Sequence, residues 1–267
     1  MRIHHLDCGT MHPLAFGKAH MVCHCLLIET PTSGLVLVDS GFARRDLLDP
    51  AARMGKAFAT LTRPTRDPDR SAVAQIEALG FQARDVRHLV LTHMDLDHVG
   101  GAVDFPEARL HVHRLEHEIA TTRPDIRSRR RYIPEMWAHV TDLRLYEDTG
   151  EPWRGFEAVR QLDGLPPEIL MLPLHGHSRG HTAIAVEGDD GWLLHAGDAY
   201  FHRGEVHAPT RQCPVVLRAF QSLVEYDRRS RTLNQDRLRA LARDSDDITI
   251  FSAHDPTELA AAVAAMA

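Results

Sequence analysis

The segment His93-Met94-Asp95-Leu96-Asp97-His98 places two imidazoles and two carboxylates within six residues. These side chains are ligands suited to zinc, manganese and iron ions. The apolar run Leu89–Leu91 before them reads as a buried strand. Gly100-Gly101 after them reads as a tight turn or the opening of a helix. The polar groups therefore sit where a strand gives way to a loop, which is where open α/β folds place their ligands. The competing reading is a polar loop of chance composition, and the density of ligand types directly after a buried strand argues against it.

Four further predicted strands end in the same manner. Leu35–Val38 runs into Asp39-Ser40-Gly41, and Ile169–Leu174 into His175-Gly176-His177-Ser178-Arg179-Gly180-His181. Trp192–His195 runs into Ala196-Gly197-Asp198-Ala199-Tyr200, and Asp247–Phe251 into Ser252-Ala253-His254-Asp255-Pro256. Strand ends on one edge of a sheet converge, so Asp39, the His93 segment, His177, Asp198 and His254 can share one site. Asp39 is either a turn residue or a brace that orients metal ligands through hydrogen bonds. His181 is expected to hydrogen-bond near the site rather than to ligate, and His175 to be exposed.

These groups need a frame. Met1–Leu6 and Met21–Glu29 read as strands, and residues 42–70 as a loop with a short helix. Ser71–Leu79 reads as an amphipathic helix with Ser71 as N-cap and Gly80 as its stop. Arg109–His113 reads as a strand with His111 and His113 on its surface rather than as ligands. Thr182–Glu187 and Trp192–His195 form a hairpin around Gly188-Asp189-Asp190-Gly191. Residues 215–243 hold one or two amphipathic helices, and Thr257–Ala267 an alanine-rich one. Residues 114–165 are rich in arginine, glutamate and aromatics, including Trp137, and read as a helical insertion. That insertion is expected to act as a lid that walls a pocket, with Trp137 facing the substrate. With no repeat or low-complexity linker, residues 1–267 form a single domain.

The 267 residues are 43% hydrophobic and 25% charged, a globular balance. Thirty-one basic against 37 acidic residues give a net charge of −6, so nothing asks for a nucleic-acid partner. The cluster Arg127, Arg129, Arg130 and Arg131 reads as a solvated helix face. No stretch approaches the 18 apolar residues of a membrane span, and the first residues lack the apolar run of a signal peptide. Cys8, Cys23, Cys25 and Cys213 are not spaced as a disulfide framework. Cys23-His24-Cys25 reads as part of a half-buried strand. Reduced thiols fit a cytoplasmic protein. The residue in excess is histidine, 19 in all.

Taken in order, Val38-Asp39-Ser40-Gly41, His93-Met94-Asp95-Leu96-Asp97-His98, Gly176-His177-Ser178, Gly197-Asp198-Ala199 and Ala253-His254-Asp255 make the chain resemble the metallo-β-lactamase superfamily. The plan and the Gly-His-Ser-x-Gly-His form are most similar to the N-acyl-homoserine lactonase branch. The resemblance covers nearly the whole chain. It implies an α/β fold, the αβ/βα sandwich, with two divalent metal ions at one edge, zinc first and manganese or iron as alternatives. It implies that His93, Asp95 and His177 hold one ion, that Asp97, His98 and His254 hold the other, and that Asp198 bridges them with a water or hydroxide. Two ions sharing a water lower its pKa and polarise the carbonyl under attack. Asp97 is placed to take a proton and return it to the leaving group.

Two departures stand out. The family motif has histidine where this chain has Asp95, a harder and negatively charged ligand. On the sequence alone, Asp95→His should raise zinc affinity there. The lactonases place a tyrosine three residues after the bridging aspartate; here Tyr200 follows Asp198 by two, and position 201 is Phe201. Tyr200 is still expected to reach the substrate oxygen. The expected function is hydrolysis of a lactone or other carboxylic ester, a small-molecule substrate, by a metal-bridging hydroxide. The alternatives are thioester or phosphodiester hydrolysis on the same two-metal core and, in another class, a non-hydrolytic metal-binding or redox protein. No membrane partner or oligomeric state is implied.

Overall fold

The computed structural model describes residues 1–158, 162–189 and 191–266. Its first sheet has six strands in sequence order: β1 (Arg2–Asp7), β2 (His24–Glu29), β3 (Leu35–Val38), β4 (Val86–Val90), β5 (Arg109–His113) and β6 (Leu143–Tyr146). β1 to β3 pair antiparallel, and β3 to β6 pair parallel. A two-stranded ribbon, β7 (Glu151–Trp153) and β8 (Phe156–Ala158), follows. The second sheet runs β12 (Ile248–Phe251), β11 (Gly191–His195), β10 (Thr182–Gly188), β9 (Ile169–Pro173).

Side chains alternate faces along a strand, and here both faces are apolar. In β2, Leu26 and Ile28 join a core shared with Val36, Val38, Ile169, Met171, Ile184 and Val186, which holds the two sheets face to face. Leu27 points the other way, to a core with Leu37, Leu89 and Leu110 of its own sheet and Val73 and Ile76 of the helix Ala72–Ala78. The outer face of the second sheet does the same with Leu172, Ala183 and Ala185 against Leu238 and Leu241 of the helix Arg228–Asp244. The layers are therefore helix, sheet, sheet, helix, the αβ/βα sandwich. The helix Ala72–Ala78 starts where its cap does: the Ser71 hydroxyl accepts the Ala74 N–H at 3.3 Å.

Several sequence expectations are corrected. Residues 42–70 carry three short α-helices, Arg44–Leu48, Pro50–Met54 and Lys56–Thr62, and a 3-10 turn, Pro68–Arg70. The span 114–165 is not only a helical insertion, because β6 within it extends the first sheet beside β5. That strand covers His111 and His113, which are buried rather than on the surface. His111 bonds His88 at 2.9 Å and the Tyr146 hydroxyl at 2.8 Å. Cys23, His24 and Cys25 are likewise fully buried, because both faces of β2 are covered. Trp137 packs in the apolar core beside Met136 and Phe105, 8% exposed. Positions 159–161 of the span, Asp190 of the hairpin turn and Ala267 of the last helix lie outside the described residues.

Candidate metal centre

β4 ends at Val90, and the chain turns through Thr92 into a short helix, Leu96–Val99. That helix lies close to the end of β3. A Cβ on Gly101 would stand 2.3 Å from the Ser40 carbonyl oxygen, so only glycine fits. Ser40 closes the contact from the other side: its N–H and hydroxyl both donate to the His98 carbonyl at 2.7 Å. Gly197 does the same work at the end of β11. Its φ is +52°, and a Cβ there would lie 2.6 Å from His181 Nε2. Asp198 is thereby aimed inward.

Seven side chains from four strand ends meet. His93, Asp95, His177 and Asp198 form one group, and Asp97, His98 and His254 another. Asp198 faces both. Its Oδ2 lies 3.2 Å from His177 Nε2 and 3.8 Å from His93 Nε2; its Oδ1 lies 3.3 Å from His98 Nε2 and 3.2 Å from His254 Nε2. Asp95 Oδ2 is 3.1 Å from His177 Nε2 and 3.3 Å from His93 Nε2. Asp97 stands 3.6 Å from His254 Nε2 and 4.0 Å from His98 Nε2.

The hydrogen bonds show what this cluster suits. His254 Nδ1 bonds the Val22 carbonyl at 2.7 Å, His98 Nδ1 bonds Asp39 at 2.8 Å, and His93 Nδ1 lies 3.0 Å from the Thr92 hydroxyl. Their outer nitrogens are thus held, which turns the inner Nε2 atoms toward the shared space. His93 Nε2, His98 Nε2 and Asp198 Oδ1 are buried without a hydrogen-bond partner. Such orphans cost about 1–3 kcal/mol each, and cations held by the two groups would satisfy them. The residues therefore fit divalent ions. Burial opposes charge on Asp198, but His254, His98 and His177 outweigh it and hold its carboxyl well below the usual range. Burial, aided by Arg131, pushes the His177 pKa down to about 3, leaving the neutral imidazole that ligates.

The bracing residues are equally specific. Asp39, at φ +54°, accepts the Thr92 N–H at 2.8 Å and the Thr92 hydroxyl at 2.7 Å besides His98. His181 uses both nitrogens, Nδ1 donating to the Leu174 carbonyl and Nε2 accepting the Asp198 N–H, both at 2.9 Å. It has no nitrogen left for a metal. Sequence reasoning missed Glu116. Its Oε1 accepts from the Met94 N–H and the Tyr132 hydroxyl, and its Oε2 from the Ser178 hydroxyl and the Gly180 N–H. One buried carboxylate thus ties the His93 segment to the His177 loop. Only a burial pattern could have flagged it: Glu116 opens a helix directly after a buried strand. His175, expected to be exposed, is half-buried against Asp148 at 2.9 Å.

Tyr200 does not reach the site. It is fully buried, and its hydroxyl donates to Glu258 at 2.9 Å. The strand end turns Phe201 toward the histidine–aspartate cluster instead, with its ring 5.2 Å from that of His254 and 5.8 Å from that of His177. Tyr200→Phe is therefore expected to leave turnover within about twofold while costing about 0.5–1.5 kcal/mol of stability, read by thermal melting. A hundredfold loss of turnover would return Tyr200 to the chemistry.

A cavity of about 470 Å³ opens above this cluster. Asp95, Asp97, His177, Asp198 and His254 line its floor. Its walls are apolar: Met11, Leu14 and Phe16 from the N-terminal loop, Phe58 and Leu61 from the helix Lys56–Thr62, and Phe201, Phe220 and Leu223. The span 114–165 contributes Arg130 and Arg131, and Trp137 is not among the lining residues. Trp137 has no route to a substrate there, because it is spent on the core.

The chain belongs to the metallo-β-lactamase superfamily, whose family model matches residues 20–254. It is similar, at 46% identity over 96% of this chain and 81% of the relative, to a protein of Mycobacterium tuberculosis named probable metallo-hydrolase. An N-acyl homoserine lactonase of Rhizobium radiobacter is 38% identical over 59% of this chain and 57% of its own. Among solved structures, an N-acyl homoserine lactone hydrolase with N-hexanoyl-L-homoserine bound at its metal centre superposes with a TM-score of 0.72. That match covers 97% of this chain and 95% of the other at 20% identity, a likeness of fold. Among the described residues no helix is long and apolar enough to cross a membrane.

Proposed function

We propose that this metallo-hydrolase cleaves a lactone or other carboxylic ester of a small molecule, using two divalent ions, zinc first, held by His93, Asp95 and His177 on one side and Asp97, His98 and His254 on the other, with Asp198 between them. The observation that carries the reading is the pairing of two ligand groups on the floor of an apolar cavity. Such ions supply Lewis acidity and an ionised water at neutral pH. The chain's own residues do the rest. Asp198 shares its two oxygens between the groups. Asp97 faces the cavity and, among the described residues, accepts no side-chain hydrogen bond, so it is free to take a proton and hand it to the leaving alkoxide. The apolar walls exclude water and hold an acyl or alkyl arm.

The lactonases named above make a lactone the first candidate, and thioesters or phosphodiesters the alternatives. Four free cysteines are in keeping with a reducing, cytoplasmic setting. The test is turnover of lactones, aryl esters, thioesters and phosphodiesters by metal-reconstituted protein. Lactones or esters should be preferred; turnover confined to thioesters or phosphodiesters would reject the reading. Within the preferred series, the cavity walls predict a dependence on chain length. Each buried methylene is worth up to about 0.8 kcal/mol, so lengthening an acyl chain by four carbons should lower KM about tenfold or more. A KM independent of chain length would mean that the apolar walls do not hold the substrate.

A further inference from the structure

Asp95 brings a negative charge to a position that an imidazole would leave neutral. A buried charge must be compensated, and the compensation is Arg131, the last residue of the helix Ile126–Arg131. Arg131 was expected on a solvated helix face. Instead its side chain is 13% exposed. Its Nε donates to Asp95 Oδ1 at 2.5 Å and its Nη2 to Oδ2 at 2.7 Å. Its Nη1 donates to the His177 carbonyl at 3.0 Å and the Val224 carbonyl at 2.9 Å. The guanidinium is thus fixed on Asp95, on the loop that carries His177 and on the end of the helix Val215–Val224. Glu116, the next buried carboxylate, has its oxygens taken by Met94, Tyr132, Ser178 and Gly180 and offers Arg131 no fork.

A fork of this kind uses one lone pair on each carboxylate oxygen. Asp95 Oδ2 keeps another on the side of His93 and His177, whose Nε2 atoms stand 3.3 and 3.1 Å away. We infer that Asp95 and Arg131 act as a single neutral ligand unit at the first metal position, the carboxylate supplying the donor atom while the guanidinium cancels its charge and fixes its orientation. Arg131 is a positioning residue that acts through Asp95. The inference rests on the two-metal reading above.

The consequence reverses the expectation from sequence. Asp95→His does not restore a nitrogen-rich site by itself, because it leaves Arg131 facing a divalent ion without its counter-charge. The two changes must be made together.

The test is zinc affinity by competition with a chromophoric chelator, on the parent, Asp95→His, Asp95→His with Arg131→Met, and Asp95→His with Arg131→Lys. Thermal melting of the metal-free proteins, and affinity at the Asp97–His98–His254 site, report folding. Asp95→His should weaken the first site about tenfold or more, the scale on which changes around a ligand act. Adding Arg131→Met should return it to within about threefold of the parent. Adding Arg131→Lys, which keeps the charge, should not. In the cobalt-substituted Met double variant, the visible spectrum should shift to that of a more nitrogen-rich site. An Arg131 that only held the fold would make both double variants worse than the single one, and that result overturns the inference. So does a first site in Asp95→His as tight as in the parent, or a lysine variant that recovers as well as the methionine one. A parent that binds no ion at the first site overturns the two-metal reading, and the pairing with it.

Discussion

Asp97→Asn is expected to lower turnover by about 10²-fold or more with metal content largely kept. The three carboxylates at the site are differently engaged. Asp95 is forked by Arg131, and Asp198 sits between four imidazoles. Among the described residues Asp97 accepts no side-chain hydrogen bond; His98 and His254 stand 4.0 and 3.6 Å from it, and it lines the cavity. The amide keeps an oxygen toward the second ligand group but cannot accept the proton. Metal content and rate must be measured on the same preparation. A variant with both ions and parental turnover would remove Asp97 from the proton transfer; loss of the ions would show that it acts first as a ligand.

Asp198→Ala should be more damaging and in a different way. Its two oxygens approach Nε2 atoms of both ligand groups at 3.2–3.8 Å. Removing them takes a donor from each group at once and leaves no carboxylate shared between the two groups. Zinc affinity should fall at both positions by more than the 10- to 100-fold seen when an outer partner is lost, and turnover with it. The stoichiometry after dialysis is the readout: two ions per parent chain, fewer than one in the variant. Two ions retained by the variant would show that Asp198 does not join the groups.

Much of this site was legible in the sequence because ligand chemistry is local. His93, Asp95, Asp97 and His98 fall within six residues, and His177, Asp198 and His254 each follow an apolar run that reads as a strand. The sequence left Asp39 open between a turn residue and a brace, and its hydrogen bonds to Thr92 and His98 favour the brace. The errors share one physical source, which is that burial is a property of the whole fold. Tyr200 and Trp137 carry the right chemistry for a substrate site, but packing turns both into the core and presents Phe201 instead. Arg131 looked solvated because its counter-charge, Asp95, is 36 residues away in sequence. Glu116 was invisible because its partners come from three separate segments. The cavity walls were missed because Leu14, Phe16, Phe58 and Leu61 lie in short segments where apolar residues read as ordinary packing.

The central claim is metal-dependent opening of a carboxylic ester, and product analysis on a lactone substrate tests it most directly. The zinc-loaded protein is expected to convert a lactone bearing an apolar acyl chain to the open hydroxy acid, to lose that activity on chelation and to regain it when zinc is returned. Ring opening that persists at an equal rate in the chelated protein, or turnover found only with phosphodiesters, would contradict the account.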